Sequence, residues 1–94
     1  VTEERLTARL TGRVQGVGFR WWVRMLAEEL GLTGWVMNCD DERSVELVAE
    51  GDPAALDRLE TLIRDGPTGA RVESVEVRRR PASGEFSRFG IMRG

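Results

Sequence analysis

The stretch Gly12-Arg13-Val14-Gln15-Gly16-Val17-Gly18-Phe19-Arg20 holds the residues of this chain best placed to do chemistry. Glycines at 16 and 18 let the backbone curl tightly and let a ligand approach its amides. Phe19, Val23, Leu26, Ala27 and Leu30 then recur at helical spacing, so the loop runs into a helix N-terminus. The first-turn N–H groups of such a helix lack intrahelical partners and its dipole favours an anion, so a phosphate would meet converging donors. Arg20 sharpens this reading. A first-turn cation sits at the unfavourable end of the dipole, at a cost of ~0.3–1 kcal/mol. A bound dianion reverses that sign, and a planar guanidinium can grip two phosphate oxygens at once. On the residues alone, an Arg20 that simply points to solvent is equally consistent. The glycine spacing is not that of a dinucleotide-binding turn, because Trp21 stands where the third glycine is needed.

The residues that are missing narrow the chemistry further. The 94 residues contain no histidine and no lysine, all 14 basic residues being arginine. That excludes Ser-His and Cys-His catalysis, imidazole metal ligands, a Walker A lysine and a Schiff base. Cys39 is alone, so no intramolecular disulfide forms. A net charge of −2 argues against a general nucleic-acid binder. The segment Val1–Arg5 lacks a signal-peptide pattern and no apolar run approaches a membrane span, so a cytoplasmic protein is expected.

The elements that must position the loop follow from periodicity. Leu6, Ala8, Leu10 and Val14 alternate with Arg5, Thr7, Arg9, Thr11 and Arg13, the pattern of a strand with one buried face. After the helix, Gly31 is a C′ residue. Leu32–Cys39 and Ser44–Glu50 read as a hairpin around Asp40-Asp41-Glu42-Arg43. Asp52-Pro53 caps a second helix, whose stripe Ala55, Leu56, Leu59, Leu62 and Ile63 stops at Gly66-Pro67. Val72, Val75 and Val77 mark another strand, with a break in alternation between the first two. Pro81–Gly84 reads as a turn and Phe86–Met92 as a short last strand. One α+β domain over residues 1–94 is expected: a ferredoxin-like βαββαβ sandwich, antiparallel sheet with two helices on one face, plus the C-terminal strand. Trp21 and Trp22 diverge by about 100° on a helix, so one packs on the core and the other is free to shield the loop. Arg78-Arg79-Arg80 reads as protection of a strand end. Asp40, Asp41 and Glu42 lack calcium-loop spacing and read as an exposed acidic turn.

GRVQGVGFR resembles the signature of the acylphosphatase family: glycine, any residue, Val-Gln-Gly-Val, any residue, Phe-Arg. A second block, Gly34-Trp35-Val36-Met37-Asn38, resembles the family's Gly-Trp-Val-x-Asn, and Val45-Glu46, Glu50-Gly51 and Phe89-Gly90-Ile91 extend the likeness over nearly the whole chain. The resemblance implies metal-independent hydrolysis of acyl phosphates, with no cofactor and no phosphoenzyme. It implies that amides of Gln15, Gly16, Val17, Gly18 and Phe19 hold the phosphoryl group, that Arg20 stabilises its charge, and that Asn38 positions the attacking water. The expected partners are a small acyl phosphate and inorganic phosphate as product and inhibitor, with no nucleic acid, no membrane and a monomeric state.

The sequence departs from the family pattern in the hairpin. Asn38 to Glu46 is one residue longer than usual, and Asp40–Ser44 contains no glycine, so a different turn is expected close to Asn38. Two other readings compete. One is a binding module like those that begin larger carbamoyl-transferring maturation proteins; the absence of appended zinc-finger cysteines favours a standalone enzyme. The other is an RNA-binding sheet, which would need exposed strand aromatics and a basic face.

Overall fold

The computed structural model describes residues 2–93; Val1 and Gly94, the ends of the expected domain span, lie outside the described residues. The alternating segment forms β1 (Glu4–Arg13), with Leu6, Ala8 and Leu10 buried and Arg5, Thr7 and Arg9 between them partly exposed. Helix α1 (Phe19–Glu29) follows the glycine loop and ends with Gly31 at φ 71°. The hairpin is β2 (Thr33–Asn38) and β3 (Ser44–Gly51), antiparallel with Asn38 opposite Val45. Helix α2 (Pro53–Asp65) starts as its sequence dictates: the Asp52 carboxylate accepts the Ala54 N–H at 2.9 Å and Pro53 opens the first turn. Strands β4 (Arg71–Pro81) and β5 (Phe89–Met92) complete the chain.

The strands form one sheet in the order β4-β1-β3-β2-β5. β1 pairs antiparallel with β3 and β4, and β2 with β3. The C-terminal strand pairs parallel with β2, so the sheet is mixed at that edge. Phe19 and Val23 of α1 share one buried cluster with Leu56 and Leu59 of α2 and with Leu6, Leu10, Val36 and Leu47 of the sheet. Both helices therefore cover the same face, the ferredoxin-like α+β arrangement. Each fully buried leucine contributes about 1.5–3 kcal/mol of transfer free energy. Among the described residues no helix is long and apolar enough to cross a membrane.

The broken alternation of β4 has a structural cause. Thr11 pairs with Ser74 but Gly12 pairs with Val72, so Glu73 is an extra residue on β4. This bulge resets the pleat and turns both Val72 and Val75 toward the core. Arg79 does more than guard an edge: its guanidinium reaches Glu4 at 3.1 Å, Asp57 at 2.8 Å and Glu60 at 3.2 Å, clasping α2 to the edge strand β4.

The last strand is shorter than its sequence suggests, starting at Phe89 rather than Phe86. Ser83 and Gly84 of the preceding segment are bound to a side chain instead of to a ladder. The buried Glu50 carboxylate accepts from Arg5 Nε at 2.6 Å, from Ser83 N at 2.9 Å, from the Ser83 hydroxyl at 3.0 Å and from Gly84 N at 3.0 Å. The Arg5 guanidinium also lies 5.3 Å from the centre of the Phe86 ring.

Burial works to raise the Glu50 pKa, but the Ser83 and Gly84 N–H groups, the Arg5 guanidinium and the Ser83 hydroxyl outweigh it and hold the group at about 2. A depressed folded-state pKa gives stability that is complete above the unfolded value, ~4.3, and is lost as pH falls toward the folded one. The wild type is therefore expected to lose on the order of 2–3 kcal/mol of stability between about pH 5 and pH 2 from this group. Urea unfolding at several pH values checks it. Glu50→Gln should be less stable than wild type at pH 7 and show a flatter acid limb; an unchanged acid limb would contradict the assignment.

Candidate active site

The two helices start in opposite ways. α2 carries a full set of terminus devices: a capping aspartate, a proline in its first turn and Arg64 in its last. α1 has none of these. Its N-cap is Gly18, no side chain caps it, and no acidic residue lies in its first turn. The exposed N–H groups and the positive end of the dipole are thus left to whatever occupies the space in front of them. Gly16 and Gly18 adopt φ of 74° and 76°, the left-handed region that costs other residues roughly 1–2 kcal/mol. A Cβ at either position would meet no atom within 4 Å, so these glycines face open space rather than packed neighbours. Their requirement is backbone direction.

That space is a cavity of about 670 Å³ in front of α1, lined by the loop residues Gly16 and Gly18, by Phe19 and Arg20, and across from them by Asn38, Cys39 and Asp40. Strand β2 delivers Asn38 to this place. Gly34 fixes its path, because a Cβ there would fall 1.9 Å from the Val48 carbonyl oxygen of β3. The fold thus brings the two sequence blocks, Gly12–Arg20 and Gly34–Asn38, onto one cavity.

Arg20 has no hydrogen-bond or ion-pair partner among the described residues. The carbonyl oxygen of the Asn38 side chain, Oδ1, is buried and unpartnered among them. Leaving such an acceptor without a partner costs ~1–3 kcal/mol.

The other expected loop residues are arranged differently. Phe19 is buried, and its ring lies 5.5 Å from that of Trp22, which packs on the core. Trp21 is 63% exposed on the cavity rim, with the Arg24 guanidinium 5.5 Å above its ring. Val17 packs against the core from its edge. Gln15 does not line this cavity: its side chain turns away and donates to the carbonyls of Cys39 at 3.0 Å and Ser44 at 2.8 Å. A groove of about 690 Å³ lies on that side, between Arg13, Gln15, Arg43 and Arg71. Arg43 is there neutralised by Glu73 at 2.9 Å.

Cys39 is unsuited to nucleophilic work. Burial pushes its thiol pKa up, the nearby Glu46 carboxylate adds to the shift, and Sγ donates to Glu46 Oε1 at 3.6 Å. The glycine-free turn is accommodated by Glu42, which takes φ 62° where glycine is favoured. Chemically, the cavity can hold a phosphate-sized anion between backbone donors and a guanidinium, with a neutral amide facing it.

Comparison with known proteins gives the family. The sequence model of the acylphosphatase family matches residues 6–91. An acylphosphatase from Thermobifida fusca is 56% identical over 85 residues, spanning 90% of this chain and 92% of that protein. The crystal structure of the acylphosphatase from Bacillus subtilis superposes with a TM-score of 0.89 at 37% identity, covering 95% of this chain and 98% of that one. Full-length HypF in its phosphate- and nucleotide-bound form matches with a TM-score of 0.86 at 25% identity, over 96% of this chain but 12% of that one.

Proposed function

The chain belongs to the acylphosphatase family, hydrolases of acyl phosphates, and we propose that it hydrolyses its substrate without a metal, using the 15–19 loop, Arg20 and Asn38. The observation that carries this reading is the uncapped N-terminus of α1 with Arg20 beside it and Asn38 opposite, on one cavity. The loop amides and the guanidinium take the phosphoryl oxygens, and the charge they hold is the charge that the transition state spreads over those oxygens. The Asn38 side-chain amide holds the attacking water with its lone pair aimed at phosphorus. The water oxygen forms the new P–O bond while the bond to the acyl oxygen breaks. The carboxylate leaves with the bonding pair, and the water's protons pass to phosphate and solvent.

This chemistry suits the residues present. The leaving carboxylate has a conjugate acid of pKa about 4, so no general acid is needed at neutral pH. What the protein supplies is position and electrostatic complementarity.

The test is hydrolysis of benzoyl phosphate with EDTA present and inorganic phosphate added as competitor. Turnover unaffected by the chelator and inhibited competitively by phosphate is expected. A folded protein that binds phosphate without turning over the substrate would favour the second reading, a module that holds carbamoyl phosphate. A segment of HypF, a longer protein seen in a phosphate- and nucleotide-bound form, has the same fold, which supports a phosphate-holding module as the alternative.

A further inference from the structure

The connection between β2 and β3 is built around one carboxylate. Asp41 Oδ1 accepts the N–H groups of Arg43 at 2.9 Å and Ser44 at 2.8 Å. Its Oδ2 accepts the Ser44 hydroxyl at 2.7 Å and the Arg9 guanidinium at 3.1 Å. Ser44 is fully buried, and with its hydroxyl proton given to Asp41 it accepts from Thr11 Oγ1 at 3.0 Å. The Ser44 carbonyl is the next link: it receives the Cys39 N–H at 2.9 Å and the Gln15 side-chain amide at 2.8 Å. The same Gln15 nitrogen donates to the Cys39 carbonyl at 3.0 Å.

Both ends of this chain of bonds lie next to residues that the proposed reaction uses. Cys39 follows Asn38, and Gln15 precedes Gly16. A primary amide has two N–H donors, and here both are committed to the hairpin. The Gln15 side chain has no donor left for a phosphate, and its free oxygen would repel one. It serves as a tie between the phosphate loop and the strand end that carries Asn38. Asp41 holds the far end of that tie by fixing Ser44. The tight bonding keeps Asp41 ionised: the Ser44 hydroxyl, first, and the Arg43 N–H hold its pKa at about 2.

We propose that Asp41 and the side chain of Gln15 are positioning residues for hydrolysis, setting the spacing between the phosphate loop and Asn38 through Ser44 without touching substrate. The inference rests on the assignment of Asn38 and the loop made above. The loop amides and Arg20 belong to one loop and its helix, so loosening the tie leaves phosphate binding in place. What it disturbs is the line from water to phosphorus, where a misplacement of about 1 Å can cost ~10²-fold.

The test compares wild type with Asp41→Ala, Asp41→Asn and Gln15→Met, the last keeping length while removing both donors. Each folded variant is assayed for kcat, KM and inhibition by inorganic phosphate. Asp41→Ala and Gln15→Met are expected to lower kcat about 10–100-fold, with KM and the phosphate inhibition constant within about threefold of wild type. Asp41→Asn should recover most of the loss, since its oxygen still accepts both N–H groups and its nitrogen can donate to the Ser44 hydroxyl. The double variant Asp41→Ala/Gln15→Met should fall no further than the worse single one, because both cut the same tie. Wild-type kcat in the folded variants would overturn the proposal. So would a rise in the phosphate inhibition constant in step with the fall in kcat, which would make Gln15 a ligand of phosphate. If Gln15→Met does not fold, the Asp41 pair at the exposed turn decides alone. A wild type without turnover would strike the catalytic reading itself; an active wild type with unaffected variants would strike this inference only.

Discussion

Arg20→Ala is expected to lower kcat/KM by about 10³-fold or more and to abolish inhibition by inorganic phosphate, while the fold persists. The size follows from the part the guanidinium takes: one preorganised donor to a phosphoryl or oxyanion group is worth ~10²–10³-fold, and an arginine on a transferring phosphoryl group ~10³–10⁵-fold. Stability should move the other way. Arg20 has no partner among the described residues and lies in the first turn of α1, so its removal relieves an unfavourable dipole interaction of ~0.3–1 kcal/mol. Arg20→Lys should restore the charge but not the two-pronged grip, leaving activity well below wild type. Parallel kinetics and thermal unfolding check the pair of signs. A variant with near-wild-type kcat/KM would remove Arg20 from the site, and one that unfolds would show a structural role instead.

Asn38→Ala is expected to separate turnover from binding. If Asn38 acts on the water and not on the phosphate, kcat falls ~10²–10³-fold while the inhibition constant for phosphate stays within a few-fold of wild type. The substitution also deletes the buried, unpartnered Oδ1, so the folded state gives up a desolvated acceptor and loses no protein hydrogen bond of that atom. A loss of phosphate affinity with kcat retained would reassign Asn38 to ground-state binding. Stability is the second readout: a large destabilisation would mean that the amide is held for packing.

Much of this arrangement is legible in the sequence because it is local. The alternation of Leu6, Ala8 and Leu10 defines β1, the Asp52-Pro53 pair starts α2, and Gly31 closes α1. The paired glycines before Phe19 point to an uncapped helix start, and the resemblance adds Asn38 to it. What is not legible depends on partners far along the chain. Glu50 binds Ser83 and Gly84, more than 30 residues away, and no spacing within either segment announces it. The last strand begins after that contact, at Phe89. The parallel pairing of β5 with β2 is likewise set by the edge left open once β3 has paired, not by anything in Phe89–Met92 itself. The three-residue step from Val72 to Val75 signals an irregularity but not its partner, the shift opposite Thr11 and Gly12. Gln15 shows the subtlest difference. Its place in the loop suggests its backbone amide, whereas its side chain turns to the hairpin. A long amide beside two glycines gives no sign of direction until the neck of the hairpin is in place.

We propose that phosphate binds at the uncapped start of α1, between the loop amides and Arg20. The most direct measurement is a titration of uniformly nitrogen-15-labelled protein with inorganic phosphate, followed by NMR. Saturable shifts are expected, largest at the amides of Gly16, Val17, Gly18 and Phe19 and at the Arg20 side-chain N–H, and vanishing in Arg20→Ala. Shifts centred on Arg13, Arg43 and Arg71 in the neighbouring groove, or none at the loop at phosphate concentrations that inhibit turnover, would contradict it.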